Sequence, residues 1–446
     1  MTNCTSQIDL FSIGRRKVTF TGQGRFITSN AGVLLAAKIE KRLGICSRLA
    51  GVLRDDRNPL YVTHTHEDQM RQRILQIVCG YEDCNDATEL RNEPAFMTAM
   101  GRLAGSQDTL ASQPTLSRFE QRSAGEVLRM SEILVDVWIE RLIARGPKAW
   151  RRIVLDFDST DDPTHGGQQL SMFHGYYDQH MYHPLVVFDG EGWPVAMALR
   201  PGNAGAASGA ISILQRIFRR IVDGLPGSAQ ITFRADAGFA VPAIYEMCET
   251  LGIHYITGQN THQVFKARVE TLLAEAREQY AQTRQKVRLF TEFEHQAGTW
   301  KKPQRIIGKV EVSSEGENIR FITTNRDDPG AESNYDFYIG RCQSENFIKD
   351  LKNAVLADRL SCSSFLSNQF RLLLHTVAYI VLYELRCAAQ ATHLARAQMD
   401  TLRLKLLKIG ACIVVTARRI WVHLSEHDPS RSVFELIAIN IAAAET

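Results

Sequence analysis

The stretch Ile153-Val154-Leu155-Asp156-Phe157-Asp158 decides the fold of this chain. Its apolar and β-branched residues predict a buried strand that ends in acids. Two more strands are predicted at 184–188 and 195–199, and Asp189-Gly190-Glu191-Gly192 predicts a hairpin turn between them. The three strands are therefore expected to pair antiparallel in one sheet.

The segments after this hairpin alternate between helix and strand. Three strands followed by helix, strand, helix and strand is the order of a ribonuclease H-like α/β core. This order places Asp158 at the end of the first strand and Asp236 just after the fourth, and strand ends are where α/β folds carry their chemistry. The alternating segments are predicted at about 206–222, 231–234, 241–251 and 254–257.

A charged helix supplies further candidates. The stretch Tyr338-Ile339-Gly340-Arg341-Cys342-Gln343-Ser344-Glu345-Asn346-Phe347-Ile348-Lys349-Asp350-Leu351-Lys352 has apolar residues at helical spacing and a second face of charged residues. Its carboxylate Glu345 lies among the hydroxyl of Tyr338 and the cations Arg341, Lys349 and Lys352. This combination suits a site that holds a metal ion with its acid and phosphate oxygens with its bases. The alternative is a solvated helix with ion pairs.

The length of 446 residues exceeds that of the usual single domain. The patterns predict five segments. They are an N-terminal helical DNA-binding module (1–148), the two parts of the core (149–259 and 336–392), an inserted β-rich module (260–335) and a basic C-terminal extension (393–446) with a helix and a β-hairpin.

Local clusters of bases matter more than the net charge of +3, which favours no partner. Residues 401–420 contain five bases and no acid, and the strands of the predicted hairpin there are 403–406 and 418–424. DNA contact and a solubilising face are both open for this patch. The same two possibilities apply to six N-terminal arginines. The bases are Arg403, Lys405, Lys408, Arg418 and Arg419 in the patch, and Arg71, Arg73, Arg91, Arg102, Arg118 and Arg122 in the N-terminal module.

The nine cysteines form no C-x-x-C pair, so neither a disulfide framework nor a zinc knuckle is expected. The N-terminus has no secretory pattern, and the longest apolar run, 372–385, is interrupted by His375 and too short to span a bilayer. A cluster of four histidines fits no metal-ligand spacing, so ordinary turn and core roles are favoured. We expect an intracellular protein with no membrane partner. The histidines are His165, His174, His180 and His183.

Three acids, Asp158, Asp236 and Glu345, are expected to converge on one sheet. Two divalent cations about 4 Å apart, held by such acids, activate a water or a 3′-hydroxyl and stabilise the leaving oxygen of a phosphodiester. Carboxylate ligands indicate Mg²⁺ or Mn²⁺.

These residues carry a resemblance to a known family. The chain resembles bacterial insertion-sequence transposases of the DDE class with the signature Y-x2-R-x3-E-x6-K, specifically insertion-sequence family 1380. The signature is matched by Tyr338, Arg341, Glu345 and Lys352. Further matching stretches are Leu155-Asp156-Phe157-Asp158-Ser159-Thr160, Arg234-Ala235-Asp236-Ala237-Gly238-Phe239, Gly80-Tyr81-Glu82-Asp83, Leu110 to Arg118, Thr164-His165-Gly166, Leu199-Arg200-Pro201-Gly202-Asn203 and Leu406 to Ala411.

The resemblance implies cut-and-paste transposition in the cytoplasm of a bacterium, in association with the nucleoid. A homodimer would pair the two terminal inverted repeats, nick them, release the element through hairpin ends and join it to target DNA. Glu345 would complete the metal site, while Tyr338, Arg341 and Lys352 would hold phosphates, with Lys349 as a further DNA contact.

Trp300 is a candidate for capturing an unpaired base. It lies in Gly298-Thr299-Trp300-Lys301-Lys302, where an aromatic ring stands beside two bases. Relatives suggested by the resemblance place a tryptophan in their β insertion for this purpose. The alternative is that Trp300 anchors its loop on the core of the module.

Two alternatives remain open. The string Asp156-Phe157-Asp158-Ser159-Thr160 is also typical of phosphohydrolases that use an aspartate nucleophile, in which Asp156 would be phosphorylated and Asp158 would be the acid/base. A third possibility is a DNA-binding relative that has lost catalysis, although all three acids are present. We favour Asp158 as the first metal ligand, because the family's first acid directly precedes a small or hydroxyl residue and Thr.

Overall fold

A computed structural model of the chain describes residues 8–20, 24, 26–328 and 330–443. The chain divides into two compact units. The first unit contains residues 1–50, 55–119 and 381–446, and the second contains residues 51–54 and 120–380. The candidate acids all belong to the second unit.

The second unit is built around an eight-stranded mixed sheet. Its helices are α6 (Ala124–Ala144), α7 (Pro147–Trp150), α8 (Ala210–Gly224), α9 (Pro242–Thr250), α10 (Gln263–Arg268), α11 (Glu270–Thr283), α12 (Ala331–Ile339), α13 (Cys342–Val355) and α14 (Phe365–Ala388, which continues into the first unit). Its strands are β4 (Arg152–Ser159), β5 (Asp162–Pro163), β6 (Met172–His174), β7 (Gln179–Tyr182), β8 (Leu185–Asp189), β9 (Pro194–Ala198), β10 (Gln230–Ala235), β11 (His254–Gln259), β12 (Val287–His295), β13 (Gln304–Ser313) and β14 (Gly316–Thr324).

The strand order of the large sheet is β12-β13-β14-β11-β10-β4-β8-β9. β4, β10 and β11 run parallel, whereas β8 and β9 form an antiparallel hairpin beside β4. The three predicted antiparallel strands and the helix–strand–helix–strand sequence that follows are confirmed. The carboxyl ends of β4 and β10 therefore meet at one edge, which brings residues 158 and 236 close together.

Aromatic packing holds the helices on this sheet. Phe157 of β4 and Phe233 of β10 have ring centroids 4.7 Å apart, and Phe218 of α8 packs edge-on Phe157 at 5.6 Å. On β8, Phe188 contacts Phe347 of α13 at 5.6 Å and Tyr379 of α14 at 5.7 Å. These contacts fix α13 over the strands that carry the acids.

The strands predicted for the β-rich insertion are present as β12, β13 and β14. They extend the large sheet instead of forming a sheet of their own, because β14 pairs antiparallel with β11 over four residue pairs. Local alternation of polar and apolar residues predicts a strand but not its neighbour, so this continuity was not predicted.

The predicted single helix from Tyr338 to Lys352 is wrong at one point. The chain turns at Gly340 and Arg341, so α12 ends at Ile339 and α13 begins at Cys342. A Cβ atom at Gly340 would lie 2.4 Å from a guanidinium nitrogen of Arg234. The close approach of Arg234 thus accounts for the glycine at this break.

The first unit is mainly helical, as predicted, but it also contains strands. Its elements are β1 (Ile8–Ile13), β2 (Arg16–Phe20), β3 (Ile27–Thr28), α1 (Val33–Leu43), α2 (Ile45–Gly51), α3 (His66–Val78), α4 (Pro94–Ala99), α5 (Gln113–Phe119), α15 (Met399–Leu402), β15 (Ala411–Val415), β16 (Ile420–Leu424) and α16 (Arg431–Ala443). β1 and β2 form a hairpin, and β3, β15 and β16 form a three-stranded sheet.

The predicted C-terminal hairpin is corrected in its first strand. Residues Arg403–Leu407 form a π-helical turn, and β16 pairs instead with β15. In α1, Gly32 occupies the N-cap position without a side-chain cap, and the helix ends at Gly44, which has a left-handed φ of 63°.

The helix α14 is long and apolar enough to cross a membrane by length and composition alone. However, 83% of its most apolar 18-residue window is buried within the protein. Burial of this kind is typical of the core helix of a globular protein.

Candidate active site

Two acids of β4 occupy contrasting positions. They are two residues apart and so share a face of the strand, but they differ in depth. Asp156 is 1% exposed and receives two hydrogen bonds from Arg234, which lies opposite it on β10, at 2.5 and 2.8 Å. Asp158 lies nearer the end of the strand and faces the other candidate acids. The structure therefore favours Asp158 over Asp156 as a ligand.

Asp158 lies in an acidic environment. Burial raises the pKa of its carboxyl to about 6; the Arg341 guanidinium opposes this increase, and the charges of Asp236 and Glu345 add to it. Arg341 contacts both Asp158 and Glu345, so the start of α13 lies at the end of β4, and Asp236 follows the neighbouring parallel strand β10. A carboxyl group with this pKa gains strongly from a nearby cation.

Asp236 follows β10 directly. Its Oδ1 atom accepts a hydrogen bond of 2.9 Å from the Gly238 amide, which caps a short 3₁₀ turn over Ala237–Phe239. The cap leaves the second carboxylate oxygen available. A local backbone contact thus fixes the orientation of this acid.

Arg341 bridges the first and third acids. Its Nη1 atom donates to Asp158 at 3.0 Å, and its Nη2 atom lies 3.7 Å from Glu345. Glu345, in the first turn of α13, has a side chain that is 56% exposed. The guanidinium therefore supplies positive charge between two carboxylates.

The three acids provide oxygen donors of the type that Mg²⁺ and Mn²⁺ prefer. Among the residues that the structure describes, no group of three or more His, Cys, Asp or Glu side chains lies close enough to hold a metal ion as placed. The donor chemistry fits the ion, and the bridging Arg341 separates Asp158 from Glu345 in this arrangement.

Tyr338 ends near the same acids. Burial raises the pKa of its hydroxyl. The charge of Arg341 opposes this increase in pKa, and the charge of Asp236 adds to it. A Cβ atom at Gly258 would lie 2.5 Å from this hydroxyl, so the glycine leaves room for it at the end of β11. Arg234 holds the end of α12 in place through a 2.6 Å bond to the Phe337 carbonyl. Arg234 is a positioning residue that the sequence analysis did not assign.

Lys352 approaches the segment that follows β4. Its Nζ atom donates to Asp161 at 2.7 Å, while Arg341, at the N-cap of α13, donates to Asp158 within β4 itself. Lys349 is exposed.

An additional acid cluster accompanies Lys352. Asp162 is 1% exposed, and within the described part of the chain neither of its carboxylate oxygens has a hydrogen-bond partner. Burial, together with Asp358, raises the pKa of Asp162 well above its usual range. In the sequence, Asp161 and Asp162 follow directly after Ser159-Thr160. The sequence analysis assigned a role only to the preceding acids, Asp156 and Asp158.

Trp300 is 9% exposed. Its ring packs edge-on against those of Tyr245 and His295, with ring centroids 6.1 and 5.7 Å apart. The neighbouring Lys301 and Lys302 form ion pairs with Glu246 and Glu249, at 2.6 and 3.0 Å from Nζ to the carboxylate oxygen. This arrangement favours the anchoring alternative over base capture.

The predicted basic surfaces differ in exposure. Arg418 and Arg419 are exposed at the tip of the β15–β16 hairpin, and Arg419 lies 5.5 Å from the ring of Trp421, which is 45% exposed. Four of the six N-terminal arginines are instead engaged within their own unit. Arg71 pairs with Glu40 and Glu67, and Arg73, Arg91 and Arg102 donate to backbone carbonyls.

The fold and the site together define an α/β protein whose strand ends and covering helix carry an acidic site flanked by phosphate-binding residue types. Residues 11–446 match the family model described as Transposase DDE domain group 1. The chain belongs to this family of DDE transposases.

Two further comparisons accompany this match. No curated protein matches the chain. One similar solved structure is the cryo-EM structure of a piggyBac transposase synaptic complex with hairpin DNA, at 11% identity and a TM-score of 0.39, covering 84% of this chain and 80% of that chain. A likeness at this score does not establish a shared fold.

The phosphohydrolase alternative disagrees with both family and geometry. It requires Asp156 as a nucleophile, but this carboxylate is buried and accepts hydrogen bonds from Nε and Nη2 of Arg234. An acid so enclosed cannot reach a phosphorylated substrate.

Proposed function

We propose that this DDE transposase binds the ends of an insertion sequence and carries out metal-dependent cleavage and strand transfer. We place it with the family that carries the Y-R-E-K signature, of the insertion-sequence 1380 type. The observation that carries the proposal is that Asp158 and Glu345 share Arg341, while Asp236 follows the strand parallel to that of Asp158. Its setting would be the bacterial cytoplasm, in association with the nucleoid.

The strand order supports a ribonuclease H-like core. The sub-order β9-β8-β4-β10-β11, with antiparallel β8 and β9 and parallel β4, β10 and β11, follows the sequence of elements predicted for that core. In such a core the first and fourth strands present the first two acids at one edge. β4 and β10 carry Asp158 and Asp236 in this way.

Asp158, Asp236 and Glu345 would hold Mg²⁺ or Mn²⁺. The bound ion would lower the pKa of an attacking water or hydroxyl and stabilise the leaving oxygen. Asp158 gains most from the ion, because its ionised form is disfavoured in the buried site. Arg341 would exchange its hydrogen bond to Asp158 and its ion pair with Glu345 for contacts with a DNA phosphate, a group that a guanidinium binds through two parallel hydrogen bonds.

Tyr338 of α12 and Lys349 and Lys352 of α13 would complete the phosphate contacts. The exposed Arg418 and Arg419 of the first unit would contact DNA elsewhere. Base capture by Trp300, which the sequence suggested, is not part of this proposal, because its ring is packed on Tyr245 and His295. We further propose a homodimer that pairs two terminal inverted repeats and releases the element through hairpin ends.

The test is cleavage of a labelled duplex that ends in the inverted repeat flanking the coding sequence. With Mg²⁺ or Mn²⁺ we expect a nick at the element end, followed by a hairpin that migrates slowly on a denaturing gel. EDTA should abolish both products. Duplex binding with no metal-dependent cleavage would instead identify a DNA-binding relative without catalysis, and double-strand breaks without hairpins would overturn the hairpin route alone.

A further inference from the structure

A small β-hairpin of the second unit carries an exposed aromatic tip. Its strands are β6 and β7, and its turn is Gly175-Tyr176-Tyr177-Asp178, closed by a 2.8 Å bond from the Asp178 amide to the His174 carbonyl. Tyr176 is 85% exposed, and Phe173 and Met172 beside it are also exposed. An aromatic ring this exposed contributes nothing to the core.

The tip is connected to the candidate active site. Tyr177 is half-buried beside Tyr176, with ring centroids 5.0 Å apart in an edge-to-face arrangement. Burial raises the pKa of the Tyr177 hydroxyl, and Asp161, Asp158 and Asp236 raise it further. The Tyr177 ring also lies 5.9 Å from the ring of His183, and the next residue, Pro184, accepts a 3.2 Å hydrogen bond from the Thr160 amide, two residues after Asp158. Tyr177 is therefore on the side of the hairpin that meets the end of β4, while Tyr176 is exposed to solvent.

Aromatic contacts continue inward from the tip. The ring of His174 lies 5.0 Å from Tyr177 and 4.8 Å from His183, which is 4% exposed. The His183 Nδ1 atom donates to the Ala204 carbonyl at 2.6 Å, and burial lowers the pKa of this imidazole to about 4. A neutral, buried histidine thus forms the base of the aromatic row.

The stretch Leu199-Arg200-Pro201-Gly202-Asn203, which the sequence analysis singled out without a role, holds this hairpin. A Cβ atom at Gly202 would lie 2.0 Å from the Met181 carbonyl oxygen and 2.3 Å from that of Met172, so both strands contact the glycine. Arg200 is 3% exposed and donates to the His183 carbonyl at 2.9 Å. Asp178 and Leu170 have left-handed φ values of 52° and 62°, which non-glycine residues keep only where the surrounding structure holds them.

We propose that Tyr176 and Tyr177 form a stacking surface for a nucleobase at the end of the transposon DNA, next to the phosphate that the acids cleave. This inference rests on the proposed function. A ligand that contacts both sites needs an aromatic face to stack on Tyr176 and a phosphodiester to reach the acids. A nucleotide at the DNA end has both groups. The hairpin would then do what the enclosed Trp300 ring is not placed to do.

The experiment uses the full chain with the Asp158→Asn substitution, which keeps bound DNA uncut, and the same inverted-repeat duplex. 5-Iodouracil replaces a base at each of the terminal positions in turn, because on irradiation it crosslinks to aromatic side chains stacked on it. We expect a crosslink that mass spectrometry maps to Tyr176 or Tyr177. Tyr176→Ala should weaken binding about tenfold by fluorescence anisotropy, and Tyr176→Phe should restore it.

Tyr61→Ala is the matched control, because Tyr61 is 84% exposed and lies in the first unit. A crosslink at Trp300 instead of the hairpin, or equal binding by Tyr176→Ala and Tyr61→Ala, would overturn the inference and leave the proposed function standing. Failure of the protein with both tyrosines intact to bind the duplex would overturn the proposed function, and this inference with it.

Discussion

Asp156 and Asp158 show how neighbouring acids of one strand acquire different roles. Asp156 is paired with Arg234, whose side chain is 8% exposed, in the middle of the sheet. Asp158 is nearly as buried, at 13% exposure, but shares Arg341 with Glu345 and faces Asp236. Asp156 is paired within the sheet, and Asp158 is the acid that we propose as a metal ligand.

This difference predicts opposite effects on stability. Asp156→Asn should lower the free energy of unfolding by about 3–5 kcal/mol, because it leaves the Arg234 charge buried without its partner. Asp158→Asn should raise it at pH 7 without metal, by up to about 3 kcal/mol, because the variant no longer buries an unfavourable charge. Urea unfolding in EDTA measures both.

The pH dependence follows from the raised pKa of Asp158. Its ionised form is disfavoured in the folded protein, so the wild type gains stability as the pH falls through about 6 toward the ordinary carboxyl value of 3.8. The advantage of Asp158→Asn should therefore disappear by about pH 4. An Asn variant less stable than the wild type at pH 7 would contradict this assignment.

The predicted phosphate contact of Lys352 can be tested through the salt dependence of DNA binding. Lys352→Ala should weaken binding of the inverted-repeat duplex and reduce the slope of log K against log salt by about one, because one phosphate contact is lost. The Lys352 ammonium must leave Asp161 to reach the phosphate, so Asp161→Asn should strengthen binding. If the slope is unchanged in Lys352→Ala, Lys352 forms only a structural ion pair with Asp161 and no phosphate contact.

Sequence reasoning found the acids of the site but not the residues that hold them. Asp158 and Asp236 were predictable because apolar runs mark strand ends, and Glu345 because of its helical spacing. The ion pair of Arg234 with Asp156 depends on β4 and β10 being neighbours in register, and Asp161 and Lys352 are 191 residues apart. Such pairings depend on the tertiary fold, which local pattern does not encode.

At the scale of elements, the break between α12 and α13 puts the signature residues on two helices. Tyr338 lies in α12, whereas Glu345 and Lys352 lie in α13. A single helix was predicted because apolar and charged residues keep helical spacing along the stretch. The backbone of Gly340 itself remains right-handed, with φ −52° and ψ −19°. The reason for the break is tertiary, since Arg234 occupies the space beside the glycine. Likewise, the joining of β14 to β11 follows from pairing, not from local sequence.

The β6–β7 hairpin gives the element-scale prediction. Gly202→Ala should lower the free energy of unfolding by about 1–3 kcal/mol and reduce DNA cleavage, because the added methyl group meets two backbone carbonyls. Gly205→Ala is the control in the same loop, since its nearest neighbour would be 4.0 Å away. Thermal unfolding and the gel assay compare the two, and equal behaviour would show that Gly202 does not hold the hairpin.

At the scale of the whole molecule, the chain combines a unit that contains the three candidate acids with a mainly helical unit that exposes Arg418 and Arg419. The proposed pairing of element ends predicts a complex of two protomers and two duplexes, measured by light scattering after size-exclusion chromatography. Arg418→Ala combined with Arg419→Ala should weaken the binding of duplex by this complex. A stable complex of one protomer and one duplex that still cleaves DNA would contradict the homodimer.

The central claim is that Asp158, Asp236 and Glu345 hold the metal ion that cuts DNA. The most direct test is cleavage of the inverted-repeat duplex in Mg²⁺ by Asp158→Asn, Asp236→Asn and Glu345→Gln, with binding measured in parallel. We predict that each variant binds the duplex but leaves it uncut. Cleavage near the wild-type rate by any one of the three would contradict the assignment of that acid and with it the proposed metal site.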